Sequence, residues 1–404
     1  QRVVNLVASK NLQYFVGIGS HIQSQASVFL KMEKIACSFY ADTGEFLKAL
    51  PTHNFQNMTI LLKGARSFHF EDIAKRLEQK LHNTVLEIDL NAIVHNLNYY
   101  RSLLKPDTKI MAMVKAFSYG SGSFEAASLL EYHRVDYLAV AYADEGVELR
   151  NRGIRLPIMV MNSEPSTFEA LIAHNLEAEI YSFEILEALE WHLKPSGKSA
   201  AIHLKIDTGM RRLGFDEKDI PALISRLSEL YPVMTIKSVF SHLAGSDESQ
   251  HDDYTQQQIH AFDKISSLIA KHTPYSFLRH ISNSSGTVRF PEAQFNMVRL
   301  GIGLYGIDPA GQVNRDLENV AALKTTVAQV KVLPPGTTIG YGRNGKLEIA
   351  GRVATINIGY ADGFDRRLGN GVGQVSIRGE LVPTIGNVCI CLLYTSDAAD
   401  DANC

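Results

Sequence analysis

Lys109-Ile-Met-Ala-Met-Val-Lys115 runs without a break into Ala116-Phe-Ser-Tyr-Gly-Ser-Gly122. The apolar stretch between the two lysines has the length of a strand buried on both faces, and the small, hydroxyl-bearing run after it has the composition of a turn. An ammonium that closes such a strand loses hydration. This favours the neutral amine and makes Lys115 a candidate Schiff-base nucleophile. The alternative is a strand-end lysine whose stem lies on the protein while its head reaches water.

The same punctuation recurs along the chain. From Thr84 to about Asp308, short apolar or β-branched runs alternate about eight times with amphipathic helical stretches. The strands are expected at Val85–Leu90, Lys109–Val114, Tyr137–Ala141, Ile158–Met161, Ala178–Tyr181, Ala201–Ile206, Thr235–Phe240 and Phe277–Ser282, with a short one at Met297–Leu300 to finish. Helices are expected between them, among them Asn91–Leu104, Asp144–Arg152, Ser166–His174, Phe183–Leu193, Ile220–Leu230 and Tyr254–Ala270. Repeated βα units with doubly buried strands argue for a parallel sheet, and this number in this length fits a (β/α)8 TIM-type barrel better than an open doubly wound sheet. No G-x-G-x-x-G follows the first strand, which speaks against a dinucleotide site.

The fold class is therefore α/β: a barrel over 84–315, then an incomplete β-rich domain over 316–390, with a small N-terminal α/β piece over 1–83. The β-rich domain is read from alternating runs at Ala321–Val332, Arg352–Ile358 and Gln374–Ile377, with turns at Pro334-Pro-Gly336 and in the glycines between Gly363 and Gly373. The N-terminal piece carries Tyr14-Phe-Val-Gly-Ile-Gly19 and Met58-Thr-Ile-Leu-Leu-Lys-Gly-Ala-Arg66 but no phosphate-binding G-x-x-x-x-G-K-[ST] loop.

Composition narrows the partners. The chain has 404 residues, 45% hydrophobic and 21% charged, as an ordinary globular protein of two or three domains does. A net charge of −3 gives no basic field for nucleic acid. The longest apolar runs fall well short of a membrane span and no leader-like segment opens the chain, so the expected compartment is the cytoplasm. Cys37, Cys389, Cys391 and Cys404 are too few and too uneven for a disulfide framework, and Cys389-Ile-Cys391 lacks the spacing of a zinc site; no metal is expected.

In a (β/α)8 barrel, residues at the C-terminal strand ends converge on one face. Here those ends offer Lys115, then Lys205-Ile-Asp-Thr-Gly-Met210 with Arg211-Arg212, then Ser241-His242, then Ser282-Asn-Ser-Ser-Gly286, and finally Arg299 before Gly301-Ile-Gly303. Singly, each has an ordinary explanation: His242 as a hydrogen-bonded structural histidine, Lys205 and Arg299 as ion-pair partners, Asn283 and its serines as a helix N-cap. Jointly they describe a site. Backbone N–H groups of Gly301 and Ile302, with Ser284 and Tyr119, suit a phosphate, and a Schiff-base lysine beside a phosphate cradle suggests pyridoxal phosphate. A guanidinium such as Arg299 at the ring nitrogen leaves that nitrogen unprotonated, whereas an acid would protonate it. Further on, Ile358-Gly-Tyr-Ala-Asp-Gly363 sets Tyr360 in a turn of small residues, where a simple packed tyrosine is the alternative.

These segments carry a family resemblance. Residues 84–390 resemble bacterial alanine racemase, a fold-type III pyridoxal-phosphate enzyme, through Ala112-Met-Val-Lys-Ala116, Lys205-Ile-Asp-Thr-Gly-Met210 with Arg212, Ser241-His242, Asn283-Ser284, Val298-Arg-Leu-Gly301 and Gly359-Tyr-Ala-Asp-Gly363. The resemblance implies interconversion of L- and D-alanine for peptidoglycan synthesis by a head-to-tail homodimer. Lys115 would hold the cofactor and act as base on the D-alanine face, and Tyr360 of the partner subunit would be the base on the L-alanine face. It further implies Arg299 at the pyridine nitrogen, His242 linking Arg299 to the tyrosine, and Arg212 steering the substrate carboxylate, positioned by Lys205, which is carbamylated in many members. Tyr119, Asn283, Ser284, Gly301 and Ile302 would bind the cofactor. A fold-type III decarboxylase would place a glutamate where Arg299 stands, and a non-catalytic pyridoxal-phosphate carrier would lack the β-rich domain and Tyr360.

Two outer segments differ. Residues 1 to about 80 resemble the C-terminal end of the ligase that attaches D-alanyl-D-alanine to the muramoyl peptide, through Phe15-Val-Gly-Ile-Gly-Ser20 and Leu62-Lys-Gly-Ala-Arg-Ser67. This implies a slice of a ligase–racemase fusion without ligation activity. Where the family continues past Cys389 with methionine and aspartate, this chain has Ile390-Cys391, and 391–404 reads as non-native sequence. Arg211 stands where many members carry glycine.

Overall fold

The computed structural model describes residues 7, 10, 12–31, 35–53, 55, 58–77, 84–195 and 197–396. Contacts divide the chain into one unit of Thr84–Thr325 and a second of Gln1–Asn83 with Thr326–Cys404.

The first unit holds eight parallel strands. With β1 (Tyr14–Ile18), β2 (Ala36–Tyr40) and β3 (Val85–Ile88) outside them, they are β4 (Lys109–Met113), β5 (Tyr137–Val140), β6 (Ile158–Val160), β7 (Glu177–Ile180), β8 (Ala200–Lys205), β9 (Met234–Phe240), β10 (Leu278–His280) and β11 (Met297–Leu300). Their order is β10-β9-β8-β7-β6-β5-β4-β11. Backbone bonds from Asn296 N to Arg279 O and from Arg299 N to Ser282 O, each 3.0 Å, bring the two end strands together and close the barrel.

One expected strand is corrected. Val85–Ile88 does not open the barrel; it pairs antiparallel with β12 (Ala321–Lys324), and the short Met297–Leu300 is the eighth strand instead. Burial gives the reason. All four residues of β11 are buried, whereas the middle of β3, Leu86-Glu87, is exposed, so β3 lacks the two covered faces a barrel strand needs. Lys115 therefore follows the first barrel strand. The β3–β12 pairing also carries this unit to Thr325, beyond the expected boundary at 315.

Period-two alternation explains the continuous apolar reading of β4. Met111 and Met113 point into the barrel with Ala139, Met159, Phe240 and Met297, while Ile110, Ala112 and Val114 face the surrounding helices. Helix starts are fixed by side-chain caps: Asp89 for Leu90–Ser102, Ser182 for Phe183–Leu193 and Asn283 for Ser284–Arg289.

In the second unit, β13 (Val327–Leu333), β16 (Gly351–Ile356), β17 (Gln374–Ile377), β18 (Glu380–Ile385) and β19 (Leu393–Ser396) form an antiparallel sheet in the order β13-β16-β19-β18-β17. The minor pair β14 (Thr338–Ile339) and β15 (Gly345–Lys346) stands apart. The expected strand Ala321–Val332 is thus two strands, β12 and β13, in different sheets. The stretch read as non-native supplies the central strand β19, whose Leu393 is buried with Ala354, Ile356 and Ile358; residues 397–404 lie outside the described residues. At the N-terminus, β1 and β2 pair in parallel over a small core of Phe46, Leu50 and Ile73, and Met58–Ala65 forms neither helix nor strand. Among the described residues no helix is long and apolar enough to cross a membrane.

Candidate active site

Strand parity delivers the site. Residues 111 and 113 of β4, 203 and 205 of β8, 238 and 240 of β9, and 297 and 299 of β11 share the inner face, so that continuing the alternation aims Lys115 and His242 the same way. Burial lowers the pKa of Lys115, the nearby Arg212 charge lowers it further, and Glu145 partly opposes both. The expected desolvated amine is present.

What holds Lys115 was not legible in the sequence. Ala116, Phe117, Ser118 and Tyr119 all have φ between 51° and 56°, a left-handed turn of four side-chain-bearing residues. Each such residue costs roughly 1–2 kcal/mol. Glu145, at the start of Ala143–Asn151, offsets this by accepting from Ala116 N at 2.6 Å, Ala141 N at 2.7 Å and Tyr142 N at 3.2 Å. One carboxylate thus ties the lysine turn to the end of β5.

Arg299 is 3% exposed and held through both terminal nitrogens. Its Nη1 donates to His280 Nδ1 at 2.6 Å and His280 O at 3.3 Å; its Nη2 donates to Ser241 O at 2.6 Å, Ile281 O at 2.9 Å and His242 Nδ1 at 3.2 Å. None of these bonds uses Nε, whose N–H stays available to a ligand. Burial pulls the guanidinium pKa down to about 10, with Glu179 acting against it, so it stays charged near neutrality. The pKa of His242 lies well below 6.5, because it is buried and faces Arg299, Lys205, Arg212 and Lys115 in decreasing order of effect. This one imidazole registers the four expected cations together. It is neutral, and since Nδ1 accepts from Arg299, its hydrogen sits on Nε2.

Lys205 is buried, with Nζ 3.2 Å from Glu179 Oε1 and 4.6 Å from the Phe240 ring centroid. Burial raises the pKa of the Glu179 carboxyl and lowers that of the Lys205 ammonium, and each group partly opposes the shift of the other. Arg212 is exposed, its charge felt by Lys115, Lys205 and His242. Asn283 takes the capping role: its Oδ1 accepts from Gly286 N at 2.8 Å and from Ser246 Oγ at 2.9 Å.

Ser284 Oγ accepts from Gly301 N at 3.0 Å and Gly303 N at 3.4 Å, so the convergent amides are those of Gly301 and Gly303, with Ile302 between them. A Cβ at Gly301 would come within 2.8 Å of the Tyr119 hydroxyl, and one at Gly303 would collide with the Tyr100 hydroxyl. Amides, hydroxyls and bare backbone at this corner form a cradle that fits an anion without a basic patch. Tyr360 belongs to the other unit, where it is 40% exposed, the Arg366 guanidinium lies 5.3 Å from its ring centroid, and its N–H donates to Cys389 O.

Residues 88–309 match the family described as alanine racemase, N-terminal domain, and residues 320–398 the one described as alanine racemase, C-terminal domain. Curated alanine racemases from Clostridium tetani and Methanococcus maripaludis are each 36% identical, over 78% and 75% of this chain and 82% of each relative. Among solved structures, alanine racemase of Clostridium difficile 630 superposes with a TM-score of 0.72 at 34% identity, covering 80% of this chain and 84% of that one. The Bartonella henselae alanine racemase with covalently bound pyridoxal phosphate gives 0.70 at 27% identity, over 80% and 87%. A closed parallel barrel with a following antiparallel domain, the cluster at its strand ends and these matches agree: the chain belongs to the alanine racemase family.

Proposed function

We infer that this chain interconverts L- and D-alanine with pyridoxal 5′-phosphate, Lys115 and Tyr360 serving as the two bases. The observation that carries the reading is the buried Arg299, clamped through Nη1 and Nη2 with Nε–H uncommitted, on the same barrel face as the desolvated Lys115. When bound, the cofactor supplies an electron-withdrawing ring that acidifies the α-hydrogen of the amino acid.

The protein's residues do the rest. Lys115, with its lowered pKa, presents a neutral amine that can bond the cofactor and exchange a proton on the D-alanine face. Arg299, a donor only, would face the ring nitrogen and leave it unprotonated. Ser284, Gly301, Ile302, Gly303 and Tyr119 would hold the phosphate. Arg212 receives the substrate carboxylate, with Lys205 behind it. Tyr360 of the partner subunit moves the proton on the L-alanine face, and the Nε2–H of His242 links it to Arg299.

The working form in this reading is a head-to-tail homodimer in the cytoplasm, supplying D-alanine for peptidoglycan. The ligase reading of residues 1–83 rests on Phe15–Ser20 and Leu62–Ser67 alone; the family matches begin at residue 88. For the cofactor assignment, purified protein is expected to show the visible absorption band of lysine-bound pyridoxal phosphate, and Lys115→Ala to lose it. Persistence of the band in that variant overturns the assignment.

A further inference from the structure

A second line of polar side chains fills the barrel interior behind Arg299. Glu177 Oε2 lies 2.8 Å from His203 Nε2, and His203 Nδ1 lies 2.6 Å from Ser238 Oγ. Ser238 Oγ is in turn 2.8 Å from His280 Nε2, and His280 Nδ1 is 2.6 Å from Arg299 Nη1. His203, Ser238 and His280 have no exposed surface. Five strands, β7 to β11, contribute one residue each.

The two ends fix every hydrogen between them. A guanidinium only donates and an ionised carboxylate only accepts. Arg299 donates to His280 Nδ1, so the hydrogen of His280 is on Nε2 and is donated to Ser238 Oγ. Ser238 then gives its own hydrogen to His203 Nδ1, and His203 donates from Nε2 to Glu177. Each donor meets one acceptor, both imidazoles are neutral, and both are Nε2–H tautomers. A doubly protonated His203 would also donate to Ser238, whose hydroxyl hydrogen would then face two donors in a dry core. Leaving such a hydrogen unbonded is disfavoured.

We propose that Glu177, His203 and Ser238 are positioning residues of the racemase, a one-way hydrogen-bond chain that holds His280 in the tautomer able to accept from Arg299. The functional part of this proposal rests on the assignment of Arg299 to the cofactor's ring nitrogen. None of the three enters the strand-end cluster; they act through His280 on the angle and stability of the guanidinium. With the chain reversed, Nδ1–H of His280 would oppose Nη1–H of Arg299 and the clamp would open.

The test is long-range 15N–1H spectroscopy of the full chain labelled at histidine, with and without pyridoxal phosphate. His203 and His280 are each expected to show an unprotonated Nδ1 and a protonated Nε2 in both states. A doubly protonated His203, or a His280 protonated on Nδ1, overturns the proposal without touching the cofactor assignment, which the Lys115 band decides separately. In the loaded enzyme, Ser238→Ala is expected to lower kcat by about 10- to 100-fold with little change in the KM for alanine, and Ser238→Thr to restore most of it. A Ser238→Ala enzyme with unaltered kcat overturns the functional part. If that variant does not fold, Glu177→Gln replaces it: the same selective loss of kcat supports the proposal and an unchanged kcat overturns it.

Discussion

The guanidinium of Arg299 donates to two imidazoles and three carbonyl oxygens, a planar set that an ammonium cannot reproduce. Arg299→Lys is therefore expected to keep the Lys115 absorption band while lowering kcat by about 10- to 100-fold. A variant with wild-type kcat would remove Arg299 from the mechanism. His242 yields a second expectation at this scale. Its folded-state pKa lies below the unfolded value near 6.5, so between the two the unfolded chain binds more protons and stability falls as pH drops. His242→Asn removes this contribution. Urea unfolding across that window should show a pH slope shallower than wild type by about 1.4 kcal/mol per pH unit, and equal slopes would show that His242 is not buried neutral. A candidate cluster could be drawn from the sequence because Lys115, Lys205, His242 and Arg299 lie at or just after strand ends. For Asn283 the sequence left cap and ligand both open, and Gly286 N at 2.8 Å from its Oδ1 shows the cap.

At the scale of elements, the turn Ala116–Tyr119 joins backbone strain to the reactive amine. Four left-handed residues survive because the Glu145 carboxylate braces the turn against the end of β5. Glu145→Ala should cost about 2 kcal/mol in urea unfolding and weaken pyridoxal-phosphate binding in a spectroscopic titration; unchanged affinity would mean the turn is self-supporting. Nothing local announces that brace, which lies 29 positions from Ala116 in the chain. The seven strands β4 to β10 were legible because both of their faces are covered, so apolar runs of the right length recur between helices. The β3 and β11 assignments were exchanged for a matching reason: Val85–Ile88 and Met297–Leu300 are alike in apolar content, and only closure of the barrel distinguishes them. The inner polar line from Glu177 to Arg299 was overlooked because charged residues within strands read as exposed, whereas parity places them inside.

For the whole molecule, the barrel and a following β-rich domain were foreseen, but β18 and β19 were not, since Pro383 interrupts the run Glu380–Ile385 and Leu393–Ser396 lies in the stretch read as non-native. The proposed homodimer makes a complementation experiment decisive at this scale. Unfolding and refolding a mixture of Lys115→Ala and Tyr360→Phe chains should restore about a quarter of the wild-type sites, because half the dimers are mixed and each carries one intact Lys–Tyr pair. No recovery would place both bases on one chain or remove one of them. The two-base claim itself is tested most directly by α-proton exchange of each enantiomer in deuterium oxide with Tyr360→Phe. The account predicts continued deuterium uptake into D-alanine through Lys115 and loss of uptake into L-alanine. Undiminished uptake into L-alanine would contradict it.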